Sequence, residues 1–144
     1  MTRSQRLHPV VQHTDKKEQR ALQALAVSQN LLESELARQA QLQDYKLEYL
    51  QKKKYDIGVF TPLELQEFNR FMQQLDQTIE RQMEVVELRR QELEQKRQVW
   101  QATHIDSKKL HKVVEKLQQQ ETAEQSRNEQ KALDEFAQRK FTRR

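Results

Sequence analysis

The chain has 144 residues with one Gly, two Pro and no Cys, and 33% of its residues are charged. A hydrophobic share of 35% is too small for a broad globular core at this length, but it suffices for a seam one or two side chains wide. The missing Cys removes disulfides, thiolate chemistry and Cys-ligated zinc, and a net charge of +4 with both signs interleaved does not single out nucleic acid.

The first residues, MTRSQRLHPVVQHTDKK, lack an apolar stretch long enough for a signal peptide, and nowhere do eighteen apolar residues run together. The expectation is a soluble, cytoplasmic protein. Helix 1 is expected from about residue 4 to about 56, with Pro9 tolerated in the first turns, and would span roughly 80 Å. One heptad register along it reads Leu22, Ala26, Gln29, Glu33, Leu36, Ala40, Gln43, Leu47, Leu50, Lys54 and Ile57, with Leu25 and Leu32 on a neighbouring stripe.

The strongest break is the turn, residues 57–61. Gly58, the sole glycine, suits the left-handed conformation that ends a helix. Thr61-Pro62-Leu63-Glu64 reads as a fresh start, with Thr61 as N-cap, Pro62 at the first helical position and Glu64 closing a capping box. Stop and start signals this close together predict a helical hairpin.

Helix 2 is expected over about 62–136. Its heptad register runs Leu65, Phe68, Met72, Leu75, Ile79, Gln82, Val86, Arg89, Leu93, Lys96, Trp100, Thr103, Ser107, Leu110, Val114 and Leu117. Eleven of these sixteen positions are apolar, and a period of 3.5 held this long needs a covering helix. The polar positions Gln82, Arg89, Lys96, Thr103 and Ser107 weaken the middle of the seam, and Trp100 reads as packing. The fold class is therefore all-α: a long two-helix antiparallel coiled-coil hairpin, a single domain over residues 1–144, with a C-terminal helical overhang after Gln118.

Folding at Gly58 sets residue i opposite about 119 − i. That places Tyr49 beside Phe71, Tyr45 beside Leu75, Leu42 beside Thr78, and Arg38 beside Gln82. Leu42, Tyr45 and Tyr49 lie off the expected helix 1 seam, as does Phe71 on helix 2. They either widen the seam or form an exposed docking patch, and nothing else in the chain is available to cover them. Beyond the seam, Leu133, Phe136, Ala137 and Phe141 recur at helical spacing beside Arg139, Lys140, Arg143 and Arg144.

No catalytic constellation emerges. His104 and His111 share a helical face seven residues apart, too far for adjacent turns to chelate one metal, and His8 and His13 lie elsewhere. There is no Gly-rich phosphate loop, and carboxylate pairs sit on helix faces. The expectation is no enzyme activity, no metal and no cofactor. A phosphate-tracking basic helix and a plain structural tether remain alternatives; a continuous basic stripe is missing for the first.

The run Asn128-Glu129-Gln130-Lys131-Ala132-Leu133-Asp134-Glu135-Phe136-Ala137-Gln138-Arg139 closely resembles the tail of flagellar FliJ proteins. The segment Asp44-Tyr45-Lys46-Leu47-Glu48-Tyr49 resembles another element of that family, and Phe71-Met72-Gln73-Gln74-Leu75 with Ile79-Glu80 resembles the start of its second helix. The resemblance implies a non-enzymatic component of the flagellar type III export apparatus, cytoplasmic and peripherally associated with the inner membrane, with no membrane insertion and no nucleic-acid partner. It implies a stalk that binds the export ATPase ring (FliI, with its regulator FliH), promotes its assembly and activity, links it to the export gate protein FlhA, acts as an export chaperone or escort, and can bind export chaperones. Carried over by residue, the gate-binding patch is Leu42, Tyr45, Tyr49, Phe71, Leu75, Thr78 and Gln82. Thr78, Gln82 and Arg38 stand where Ala, His and Gln are common in the family. The ring-binding end is Leu133, Asp134, Phe136, Ala137, Arg139 and Phe141, with Arg3, Arg6, Lys16, Lys17 and Arg20 adding charge. The equivalent stalk of a virulence type III secretion system is the neighbouring alternative.

Overall fold

The structure, a computed structural model, describes residues 1–55, 58 and 60–142. Regular structure consists of α1 over Arg3–Tyr55 and α2 over Pro62–Thr142. The fold is all-α, as expected, with the two helices antiparallel and no strand among the described residues. Asp56, Ile57 and Val59 of the expected turn, and Arg143 and Arg144 of the basic end, lie outside the described residues. Backbone contacts divide the chain into two compact units, Ala21–Val99, and Met1–Arg20 with Trp100–Arg144.

In the unit Ala21–Val99, α1 ends in Lys52, Lys53 and Lys54, cations placed where the helix dipole is negative. Gly58 follows with φ at +121°, a conformation that costs a side-chain-bearing residue dearly. Thr61 then caps α2: its Oγ1 accepts from the Glu64 N–H at 3.3 Å and its carbonyl from the Leu65 N–H at 3.0 Å. The α2 face turned to α1 is the expected register. Leu75, Gln82 and Val86 are buried, and Phe68, Met72, Ile79, Arg89 and Leu93 are half-buried. Leu65 departs from it, 49% exposed beside the turn, and Lys96 is also exposed.

The expected helix 1 register needs correction. Leu22, Ala26, Gln29, Glu33, Ala40, Gln43, Leu47, Leu50 and Lys54 are all exposed; only Leu36 of the described positions in that series is half-buried. The observed seam lies one residue earlier, through Ala21, Leu25, Ser28, Leu32, Glu35, Gln39, Leu42, Lys46, Tyr49 and Lys53. It alternates steps of three and four as a coiled coil requires. The cause is its composition: small and polar residues fill many of its positions, so the apolar stripe one step over looks stronger in sequence.

The other unit continues the same alternation through Ser4, Leu7, Val11, Thr14 and Glu18 on α1. On α2 it runs through Trp100, Thr103, Ser107, Leu110, Val114, Leu117 and Glu121. Here α1 begins with a reciprocal cap: the Thr2 N–H donates to Gln5 Oε1 at 3.1 Å, and the Gln5 N–H to Thr2 Oγ1 at 3.4 Å. Glu121 of α2 adds a cap from across the pair, accepting from the Ser4 N–H at 3.0 Å and the Ser4 hydroxyl at 2.6 Å. Those two bonds, hydroxyl first, hold the Glu121 carboxyl below its ordinary range. From Thr122 to Thr142 every residue of α2 is exposed.

At Gly58 an added Cβ would meet nothing within 4 Å, so only backbone strain opposes a side chain there. Gly58→Ala should lower stability by about 1 kcal/mol through that strain alone, read as a drop in the thermal midpoint of the helical circular-dichroism signal.

Candidate docking surfaces

The first candidate surface lies near the turn. Packing α2 antiparallel to α1 brings Tyr45 and Tyr49, one helical turn apart, against Phe71. The Tyr49 ring lies 4.6 Å from Phe71 and 5.5 Å from Phe68, and Phe60 lies 6.4 Å beyond Phe68. Tyr45 stands 6.3 Å from both Tyr49 and Phe71, edge-on to the latter. The rings thus form a chain from exposed Tyr45 inward to the turn, at separations where aromatic pairs attract.

The seven patch residues divide by burial. Tyr45 is 49% exposed and Thr78 is exposed, its hydroxyl donating to the Gln74 carbonyl at 3.0 Å. Leu42, Tyr49 and Phe71 are half-buried, while Leu75 and Gln82 are buried at 8% and 7% exposure. The expected pairing of Tyr49 with Phe71 is present. Leu42 and Tyr49 belong to the α1 seam rather than to an off-seam stripe, a consequence of the corrected register. Gln82 meets Glu35 rather than Arg38: its amide donates to the Glu35 carbonyl at 2.9 Å and to the carboxylate at 2.6 Å. Asp76 is reached by Lys46 at 2.5 Å, an ion pair of half-exposed groups. The accessible part of this face is therefore Tyr45, the rim of Phe71, and Thr78.

The second candidate surface is the end of α2. Leu133, Phe136 and Phe141 are 64%, 65% and 84% exposed. Asp134, Ala137 and Arg139 are exposed as well, and Asp134 accepts a long hydrogen bond from the Gln130 amide at 3.5 Å. None of the described residues covers the three large apolar side chains, so this helix presents them to solvent.

Between Asp15, Glu18 and α2 lies a polar cluster that sequence reading missed. His104 Nδ1 is 2.6 Å from Glu18, and His111 Nε2 is 2.9 Å from Asp15, which also accepts from the Ser107 hydroxyl at 2.9 Å. Trp100 stacks on His104 with ring centres 5.0 Å apart. The signal was present as the i, i+3 carboxylates facing the i, i+7 histidines, but it required the correct α1 register. Among the described residues no group of His, Asp and Glu is arranged to hold a metal ion, and no helix is long and apolar enough to cross a membrane.

The hydrogen bond from His111 holds the Asp15 carboxyl below its ordinary range, and that from His104 does the same for Glu18; burial opposes both. A carboxylate lowered on folding contributes stability that is whole above its unfolded pKa and is lost as the pH falls through its folded one. Acidification from about pH 5 to about pH 3 should therefore lower the amide protection factors at residues 4–18, that is, the intrinsic exchange rate at each pH divided by the observed one. The double variant Asp15→Asn, Glu18→Gln should flatten that acid dependence.

A family model described as Flagellar FliJ protein matches residues 3–144. No curated protein and no solved structure matches the chain. With the match covering essentially the whole sequence and both helices, the chain belongs to the flagellar FliJ protein family and is a component of the flagellar protein export apparatus.

Proposed function

We propose that this chain is a non-enzymatic, stalk-like coiled coil that binds the export ATPase ring through the end of α2 and the export gate through the face around Tyr45. The observation that carries the reading is the exposed end of α2. Three large apolar side chains, Leu133, Phe136 and Phe141, stand on one solvated helix flanked by Arg139 and Lys140. An apolar helical face with a charged rim is the form in which an amphipathic helix enters a groove on a partner. In this reading Phe136 and Phe141 are the anchors, Leu133 and Ala137 complete the apolar face, and Asp134 and Arg139 set orientation at the rim. The ring is that of FliI with its regulator FliH, and docking promotes its assembly and turnover.

The second contact is with FlhA. Tyr45 offers a rigid ring with a polar tip, backed by Phe71 and Tyr49, an arrangement typical of residues that dominate interfaces. Leu42, Leu75 and Gln82 act beneath that face, holding α1 and α2 at the height that sets Tyr45 beside Phe71 and Thr78. The same face serves as an escort surface for export chaperones. The protein works in the cytoplasm, at the membrane-bound export apparatus.

Titrating the cognate ATPase with the full chain should raise its hydrolysis rate, and a chain ending at Gln125 should not. Phe136→Ala with Phe141→Ala should reproduce that loss, because both side chains are exposed and their removal leaves the paired helices intact. Absence of stimulation by the full chain, under conditions where the ATPase forms its ring, would overturn the ring-binding reading. Tyr45→Ala should leave stimulation unchanged while weakening binding to the soluble part of the gate by about tenfold or more.

A further inference from the structure

We propose that the hollow beside the turn is a separate docking site, built to take an acidic protein segment that carries one bulky apolar side chain. The hollow measures about 520 Å³ and is lined by Leu50, Lys53, Lys54, Phe60, Leu65 and Phe68, with Gly58 at its edge. Its size lies within the range of about 300–1,000 Å³ over which protein pockets take organic groups. Leu50 and Leu65, 40% and 49% exposed, form walls rather than seam. Leu65 follows the α2 heptad but the described residues leave it 49% exposed, an apolar wall where the described seam ends.

Charge decides the class of occupant. Lys52, Lys53 and Lys54 crowd the last turn of α1. The helix end carries only about half a negative charge, and two of the three lysines, Lys53 and Lys54, line the hollow, so its rim is positive. Lys53 sits against the rings: its ammonium is 4.4 Å from the centre of the Phe60 ring, 5.7 Å from Tyr49 and 5.9 Å from Phe68. The aromatic faces hold that cation at the mouth of the hollow while its aliphatic stem lines the wall. A carboxylate arriving there meets a positioned ammonium, and a large apolar side chain beside it meets Leu50, Leu65 and Phe68. A phosphate-bearing ligand would satisfy the lysines and leave the apolar floor exposed, so a peptide segment fits better.

The experiment is fluorescence anisotropy with the full chain and a dye-labelled synthetic peptide of Glu and Asp around one central Phe. The same peptide with Ala at the centre, and one with Lys in place of the acids, serve as controls. Saturable binding of the Phe peptide, about tenfold tighter than the Ala peptide and lost with the Lys peptide, is expected. Lys53→Glu and Leu65→Glu should each weaken it about tenfold with helix content unchanged, whereas Tyr45→Ala should leave it intact, which keeps the result independent of the gate contact. Equal affinity for the Phe and Ala peptides, or insensitivity to both the Lys53 and Leu65 substitutions, would overturn the proposal. So would self-association in sedimentation that Leu65→Glu abolishes, because the occupant would then be a second copy of this chain.

Discussion

Two helices laid side by side cover one narrow stripe each, and this geometric limit governs how the chain is built. In a broad core, apolar residues from several elements close over one another; here each seam residue meets a single partner helix and remains open at the flanks. Among the described residues only Leu75 and Val86 are apolar and buried, and no large side chain is fully buried. Stability must then come from many half-buried contacts in series, from helix caps, and from polar groups satisfied across the pair.

Those polar contacts are unusually prominent. Among the described residues Ser4, Ser28, Gln82, Thr103 and Ser107 are the buried polar ones, outnumbering the buried apolar ones. A buried polar atom costs free energy unless it finds a partner, and several of these do so across the helix pair. Ser4 donates to Glu121, Gln82 to Glu35, and Ser107 to Asp15. Glu121 has a further effect, since its negative charge sits at the positive N-terminal end of α1, where the helix dipole favours it. The chain therefore secures the start of α1 with two caps, one from Thr2 and Gln5 beside it and one from the opposing helix.

How much of this was readable from residues alone differs between the two helices, for a physical reason. Along α2 the seam coincides with the strongest apolar heptad, so Phe68, Met72, Leu75, Ile79, Val86 and Leu93 mark it directly. Along α1 the two diverge. Leu22, Leu36, Leu47 and Leu50 advertise a seam that the fold mostly leaves in solvent, while Ser28, Glu35, Gln39 and Lys46 occupy the real one. Counting apolar residues assumes that burial follows hydrophobicity, and in a seam held partly by cross-helix hydrogen bonds it does not. The turn signals were more dependable because they act locally: Gly58 adopts a positive φ and Thr61 caps α2 whichever register the helices take. The site followed the same division. Tyr49 against Phe71 was visible from pairing, whereas the contact of Gln82 with Glu35 and the two histidine–carboxylate pairs needed the register first.

Register also determines the make-up of the docking face. A slide of α1 by one heptad would keep an apolar residue beside many α2 positions, so hydrophobic contacts alone discriminate poorly between alignments. Gln82 discriminates strongly, because its amide is buried and is satisfied by the carbonyl and carboxylate of one residue, Glu35. A displaced α1 would strand that amide, and would also strand Ser107, whose hydroxyl finds Asp15. Single polar positions inside coiled coils fix alignment in this way at some expense of stability. With Glu35 pinned to Gln82, the following turns of α1 bring Lys46 to Asp76, and Tyr45 and Tyr49 to Phe71. The hydrophilic interior thus accounts for where the exposed aromatic ring stands: the polar seam chooses the alignment, and the alignment assembles the face.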